Sequence, residues 1–298
     1  MGPLRWGICS AGKISHDFLV ALKTLPPEDH KVVAIASREL SRAQKYAQTY
    51  NIPKAYGSYA ELAQDPDVDV VYVGVIHPYH LPSTLLFIQA GKNVLCEKPL
   101  GMNSAEVKAM VQAAREKGVF LMEAFWSRFF PVSEKLRSLL RQRTIGDVVM
   151  VHADFGLPLI TVPRTTEKEL GGGGLLDIGL YCVQFACMVF EGEKPESVVA
   201  SGFLHDTGQS WGIPSTFWSP VQLVVNGKSE ECPLPSPSQK LYFPNTTGLR
   251  YEAQHVRQCL LQGLKESPVM SHADSELVHS ILDEVRRQLG VSYPQDRP

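Results

Sequence analysis

Residues 5–25, RWGICSAGKISHDFLVALKTL, pass from a short β-rich run into an amphipathic stretch through Ser10-Ala11-Gly12. Arg5–Cys9 reads as a strand and Ser15–Leu25 as a helix. The turn between them is a reduced form of the phosphate-binding turn G-x-G-x-x-G that keeps only its central glycine, the one whose missing side chain lets a pyrophosphate approach the backbone. A glycine in any strand-to-helix turn looks much the same. Its position after the first strand gives it weight and makes Ser10, Gly12, Lys13 and Ile14 candidate cofactor contacts.

Outward from this turn the alternation continues. Lys31–Ala36 reads as a second strand, Leu40–Thr49 and Ser58–Gln64 as helices, and VDVVYVGVI, residues 68–76, as a third strand that carries Tyr72, a candidate cofactor contact. Leu81–Ala90 reads as a helix, Asn93–Cys96 as a strand, Ser104–Lys117 as a helix and Val119–Ala124 as a strand. Strands separated by single helices imply right-handed crossovers and a parallel sheet, so residues 1–126 read as a doubly wound α/β domain and residues 127–298 as a second α/β domain. In such a sheet the ligand lies beyond the carboxyl ends of the strands.

Three strand ends are polar in a way the fold does not require. The second strand runs into Ser37, Arg38, Glu39 and Arg42. A dinucleotide without a 2′-phosphate is normally held there by a carboxylate, whereas Ser37, Arg38 and Arg42 suit a 2′-phosphate, so the reading favours NADP; Glu39 keeps a ribose contact open. After the next strand come His77, Pro78 and His80, which lack a third ligand of metal-binding spacing and are read as contacts to cofactor and substrate rim. Glu97, a candidate cofactor contact, and Lys98 end a strand that should be buried, which puts a cation at the sheet's ligand-binding edge.

In the second domain GGGGLLDIGLYCVQF, residues 171–185, looks like the start of a buried helix that nonetheless carries Asp177 and Tyr181 at i and i+4 on one face. A carboxylate is rarely fully buried without a partner, so the pair is either a satisfied structural hydrogen bond or the lining of a pocket.

The bulk composition is permissive. With 31 acidic and 29 basic residues in 298, nothing favours nucleic acid or an anionic membrane as partner. The apolar stretch around Val68–Ile76 is too short to span a bilayer, and no transmembrane segment is expected. The N-terminus lacks the pattern of a secretory signal. Six cysteines without CxxC spacing read as small buried hydrophobes of a reducing, cytoplasmic compartment, and no metal set is visible.

Taken together, W6-G-I-C-S-A-G12, V-V-A-I-A-S37-R38, E97-K98-P99, M122-E-A-F-W126-S-R128-F-F-P, G172-G-G-G-L-L-D177-I-G179-L-Y181 and the carboxyl-terminal run from Tyr251 to Gly290 resemble the glucose-fructose oxidoreductase and inositol dehydrogenase-like family. The resemblance covers nearly the whole chain. It implies a Rossmann domain followed by an α/β domain with an open, largely antiparallel sheet. It further implies an NADP-dependent oxidoreductase of the subgroup acting on trans-dihydrodiols of aromatic hydrocarbons and on aldoses such as D-xylose, and a homodimer joined sheet to sheet. Carried over by motif, the catalytic residues are Lys98, Asp177 and Tyr181.

Alcohol oxidation needs a base for the hydroxyl proton while hydride leaves for the nicotinamide, and an ordinary phenol is too weakly ionised near neutrality to serve well. The expectation is that Lys98 lowers the pKa of Tyr181 by charge proximity while Asp177 orients the lysine or the substrate. Trp126, Phe155 and Phe129 are expected to form the apolar wall of the substrate site, with Arg128 at the nicotinamide end of the cofactor. One departure stands out: after D147-VVMVHADFG156 and S197-VVASGFLH205 the resemblance implies several more long strands, but only residues 206–220 precede V221-QLVVNG227. On the order of 30 residues, about three strands with their turns, are expected to be absent, weakening the dimer.

Overall fold

The computed structural model describes residues 2–202 and 218–297. Six parallel strands form one sheet: β1 (Leu4–Cys9), β2 (His30–Ala36), β3 (Lys54–Tyr56), β4 (Val70–Val73), β5 (Asn93–Glu97) and β6 (Leu121–Ala124), in the order β3-β2-β1-β4-β5-β6. Helices α1 (Lys13–Leu22), α2 (Leu40–Tyr50), α3 (Tyr59–Gln64), α4 (His80–Gln89) and α5 (Ser104–Lys117) make the crossovers. The order reverses between β1 and β4, and the crevice at such a switch point is where a dinucleotide binds. All four residues of β4 are buried, as expected of a central strand covered on both faces. β3 escapes the sequence reading because it is a three-residue, half-buried edge strand with no apolar run.

The chain after β6 packs back onto this sheet. A short turn, Trp126–Phe129, leads into α6 (Pro131–Arg141). A one-turn helix, α7 (Pro163–Thr166), and the glycine run 171–174 precede a π-helical turn, Leu175–Gly179, that continues as α8 (Leu180–Val189). Helices α9 (Leu249–Leu261) and α10 (His272–Leu289) close the molecule. Asp17 of α1 accepts hydrogen bonds from Tyr242 N, Phe243 N and Thr246 Oγ1, and His272 and His279 of α10 bond to Leu121 O and Glu123 Oε1 of β6. One apolar core runs from Trp6, Phe18 and Tyr72 to Leu180, Val256 and Leu282, so the two parts of the chain share their interior.

The segment Lys168–Val189 is long and apolar enough to cross a membrane by length and composition, which the sequence reading had not singled out. It is half buried within the protein and holds the buried carboxylate of Asp177, the pattern of a core helix.

Among the described residues the second sheet has two antiparallel strands, β7 (Gln222–Val225) and β8 (Lys228–Glu231). Asn226 and Gly227, both at positive φ, turn the hairpin in the manner that two-residue loops require. Residues 147–156 and 197–202 run without strand structure, correcting the expectation of strands there. A strand needs a neighbour to take its backbone hydrogen bonds. Without one, Val149, Met150 and Val199 stand 95%, 81% and 90% exposed. Most of the shortened stretch, residues 206–217, lies outside the described residues.

Candidate active site

The dinucleotide cradle forms where β1 meets α1. Gly12 caps α1 with no side chain bonded to the helix's first amides, and the first turn carries no acidic residue, so the amides are available to an anion. A Cβ built on Gly12 would come within 3.3 Å of Ser10 Oγ, filling the hollow that a pyrophosphate needs. Ser10 itself takes a positive φ of 101° to make the turn. Gly74, just past β4, was not picked out from the sequence: a Cβ there would lie 2.7 Å from Ser15 Oγ and 3.0 Å from Tyr72 Cε1, so glycine is what allows this loop to close on α1. The only signal for it was a glycine interrupting a β-branched run.

At the end of β2, Ser37 is buried and Arg38 is exposed, its guanidinium over the Tyr79 ring at 5.4 Å. Arg42 donates to Ala11 O at 3.1 Å and Tyr46 to Gly12 O at 3.2 Å, tying the phosphate turn to α2. Lys13 lies above the Tyr242 ring at 5.8 Å. These residues fit an adenine nucleotide with its phosphates on the α1 amides.

Tyr72, His80, Glu97 and Arg128, expected as cofactor contacts, are buried and bonded to other protein groups. Tyr72 is fully enclosed, stacked on Phe18 at 3.8 Å with its hydroxyl donating to Glu97 Oε1 at 2.5 Å. His80 is also enclosed, its ring nitrogens bonded to Pro99 O and Val75 O, and it joins the β4 and β5 loops from behind. Arg128 is buried among Gln184 Oε1, Val269 O and Asp274, where it fastens α8 to the start of α10. The sequence pattern marks an arginine beside an aromatic turn, but the direction of its side chain follows from packing.

The candidate reaction centre assembles around Asp177. Lys98, projecting from the end of β5, places Nζ 2.7 Å from Asp177 O and 3.4 Å from Asp177 Oδ1. The same amine lies over the Tyr181 ring, 5.2 Å from its centroid. Arg164 of α7, absent from the sequence reading, donates to Asp177 Oδ1 at 2.9 Å, and His77 Nε2 lies 3.7 Å from that oxygen. Burial works to raise the Asp177 pKa, but Lys98, Arg164 and His77 outweigh it and hold the carboxyl well below its usual range. Burial pushes His77 down to about 3, against the opposing pull of Asp177, so its imidazole is neutral at ordinary pH. The π turn explains how the segment accommodates an inward-facing Asp177, since such turns re-aim side chains and recur at functional sites. Gly171, at φ 77°, presses on His77 where a Cβ would meet His77 Cβ at 3.0 Å.

Tyr181 corrects one expectation. Its pKa is raised well above that of a free phenol, first by burial and then by the charge of Glu97, while a hydrogen bond from Trp126 Nε1 at 2.8 Å works the other way. Lys98 addresses the face of the ring, a cation–π contact, instead of the phenolic oxygen. The protein without ligands therefore holds Tyr181 as a neutral hydroxyl. Glu97 is likewise raised, by burial, while Tyr72 and Lys98 favour its ionised form.

An aromatic wall stands over this centre. Phe125 and Phe155 each meet the Tyr181 ring edge-on at 5.7 Å, and Trp126 lies 5.5 Å from Trp218. Phe155 stacks on Trp218 with planes 15° apart. Trp126 and Phe155 were expected here; Phe129 instead packs on His255 at 4.7 Å. Trp218 follows a stretch with no strand or helix pattern, so nothing in its surroundings pointed to the site.

The sequence matches the profile of an oxidoreductase family with an NAD-binding Rossmann fold over residues 4–125, and that of the same family's C-terminal domain over residues 133–221. The chain is 56% identical to trans-1,2-dihydrobenzene-1,2-diol dehydrogenase of Xenopus laevis over 327 residues, covering 97% of this chain and 99% of that protein. Identity is 48% to the Mus musculus enzyme of the same name over 330 residues, with 99% of each covered. An alignment of 327 positions against 298 residues leaves at least 29 that this chain does not fill. Among solved structures, a 3-ketoreductase from Actinomadura kijaniata in complex with TDP-benzene and NADP superposes with a TM-score of 0.76 at 23% identity, covering 96% of this chain and 98% of that one. Levoglucosan dehydrogenase in complex with NADH and levoglucosan does so at 0.76 and 18%, covering 98% and 100%. A Rossmann sheet with its phosphate turn, a lysine at the end of β5 and an Asp-Tyr helix behind it are thus joined to family matches that span most of the chain: it belongs to the Gfo/Idh/MocA oxidoreductase family.

Proposed function

We propose that this chain is an NADP-dependent dehydrogenase that oxidises trans-dihydrodiols of aromatic hydrocarbons to catechols and, at the same site, D-xylose and related aldoses to lactones. The observation that carries the reading is Lys98 Nζ held between Asp177 and the face of Tyr181, beneath a wall of Trp126, Phe155 and Trp218. A flat, apolar ring with two hydroxyls suits such a site: the ring lies on the aromatic wall and the hydroxyls face the polar floor. The name shared by the relatives at 48–56% identity supports the same substrate class.

NADP, when bound, supplies the hydride acceptor. Lys98, kept in place by Asp177, donates a hydrogen bond to the reacting oxygen. Tyr181, positioned by Trp126, acts as the base: its own phenolic proton is released to bulk solvent before hydride transfer, and the phenolate then takes the hydroxyl proton. The aromatic wall excludes water. Ser37 and Arg38 hold the 2′-phosphate, supporting NADP over NAD.

A second reading, a catalytically silent NADP-binding protein, draws on the strandless segment 147–156 and its exposed Val149 and Met150. The two separate on mixing the chain with NADP and either benzene trans-dihydrodiol or D-xylose. NADPH formation supports the enzyme; cofactor binding without reduction leaves only the second reading.

A further inference from the structure

The buried carboxylate of Asp177 turns one oxygen, Oδ1, to three nitrogens: Arg164 Nη1 at 2.9 Å, Lys98 Nζ at 3.4 Å and His77 Nε2 at 3.7 Å. With His77 neutral, two cations share one carboxylate, and Arg164 is the nearer. Lys98 makes its shorter bond, 2.7 Å, to the Asp177 backbone carbonyl, which carries no net charge. Asp177 is thus taken up chiefly by Arg164, and the ammonium over the Tyr181 ring keeps its charge for that ring and for a reacting oxygen. Without Arg164 the remaining cation and carboxylate would cancel each other. The fold holds Arg164 in place. Thr165, buried beside it, donates to Leu159 O and Val162 O at 2.8 Å. Gly172 N donates to Glu167 O at 3.0 Å, and a Cβ on Gly172 would lie 2.7 Å from Glu167 O and 2.9 Å from Thr165 C, so glycine lets the run before the π turn lie against α7. Tyr293 clamps the same residue by donating to Gly172 O at 2.8 Å.

We propose that Arg164 is a positioning residue of this centre and acts through Asp177: it takes up the charge of the carboxylate, so that the charge of Lys98 stays available to the reacting oxygen and to the Tyr181 phenolate. Tyr181 faces Lys98 and Glu97 of β5, Asp177 of its own segment and Glu252 of α9, and the three carboxyl groups oppose its ionisation. Towards the other neighbours of α8, Arg128 and Asp274 pair with each other at 3.1 Å and Arg137 donates to Arg128 O. Tyr293 also faces Asp177, and burial keeps its hydroxyl neutral. Removing the guanidinium leaves Asp177 free to oppose the phenolate more strongly, so the pH at which Tyr181 gives up its proton rises. The Arg164 side chain is 33% exposed, so solvent screens part of this effect.

The test uses Arg164→Met, which keeps an apolar stem and removes the charge, and Arg164→Lys, which keeps the charge. Without any substrate, reductive methylation of the largely buried Lys98 by formaldehyde and cyanoborohydride is followed by mass spectrometry at mildly alkaline pH. Only the uncharged amine reacts, and an ammonium left alone with Asp177 holds its proton more firmly. Arg164→Met should therefore slow the reaction about threefold or more, and Arg164→Lys should bring it back. A merely loosened site would expose Lys98 and speed the reaction, so an unchanged or faster rate in Arg164→Met overturns the proposal. The kinetic arm rests on the dehydrogenase reading. There the acid limb of kcat should move up by about one pH unit in Arg164→Met and return in Arg164→Lys, with NADP affinity unchanged. An unshifted limb in a variant with slowed methylation overturns the link to Tyr181. If the unsubstituted chain turns over no substrate, the dehydrogenase reading fails and the methylation rate alone decides the role of Arg164.

Discussion

Between Leu4 and Ala124 every strand finds a parallel neighbour, and the central ones are buried on both faces. Between 147 and 202 the chain supplies β-rich segments and pairs none of them. The first region holds itself together through its ladder; the second is held by side chains that reach into its neighbours. Yet the proposed chemistry needs both, because Lys98 comes from the first and Asp177, Tyr181 and Arg164 from the second. The contrast shows that a reaction centre can be anchored through one helix and a few buried polar ties while the sheet beside it is cut down.

The sharpest way to break the comparison is to cut such a tie. Arg128→Met leaves Gln184 and Asp274 without their buried partner and should destabilise the second region by about 3–5 kcal/mol. Proteolysis should then begin after residue 130 while the Rossmann sheet stays protected. Uniform loss of protection in both regions would show that they unfold together.

Acid sharpens the contrast next. His77, pushed down to about 3, and His255, pushed down to about 4 by burial, are both neutral in the folded chain. Their contribution is complete above the unfolded histidine value near 6.5 and is lost as pH falls towards 3–4, because the unfolded chain then binds protons the folded chain refuses. Asp177, held low, adds its own loss only below about 4. The unfolding free energy from urea titrations should fall by a few kcal/mol between pH 7 and pH 4, and a flat value across that range would contradict the burial of these rings.

A smaller effect concerns the exposed edge. With Val149, Met150 and Val199 in solvent and a two-stranded ladder as the only second sheet among the described residues, the sheet-to-sheet dimer that the sequence resemblance implies should be weak. Sedimentation at about micromolar concentration should give a monomer; a dimer persisting at about nanomolar concentration would refute this. Smallest is Arg38→Ala, expected to raise KM for NADP about tenfold, roughly 1.4 kcal/mol, and to leave KM for NAD unchanged.

Much of the first region was legible because parallel strands read as continuous apolar runs and two crossover helices carry side-chain N-caps, Ser58 for α3 and Asn103 for α5, with Gly118 closing α5. Lys98, Asp177 and Tyr181 were legible as polar intrusions into apolar runs. What escaped depends on direction and packing. Arg128 and Tyr72 sit beside the site in sequence yet turn into the core, and Arg164 and Trp218 reach it from segments with no periodicity. The electrostatic sign at Tyr181 escaped too, because burial and Glu97 outweigh any help from a lysine that meets the ring by its face.

The central claim is that Lys98 and Tyr181 still form a working centre beside a shortened sheet. NADPH formation from NADP and benzene trans-dihydrodiol, compared between the chain and its Lys98→Met variant, tests it most directly. The account predicts turnover that falls about 10²–10⁴-fold in the variant with NADP binding retained. Equal rates, or no reduction by either protein despite bound cofactor, would contradict it.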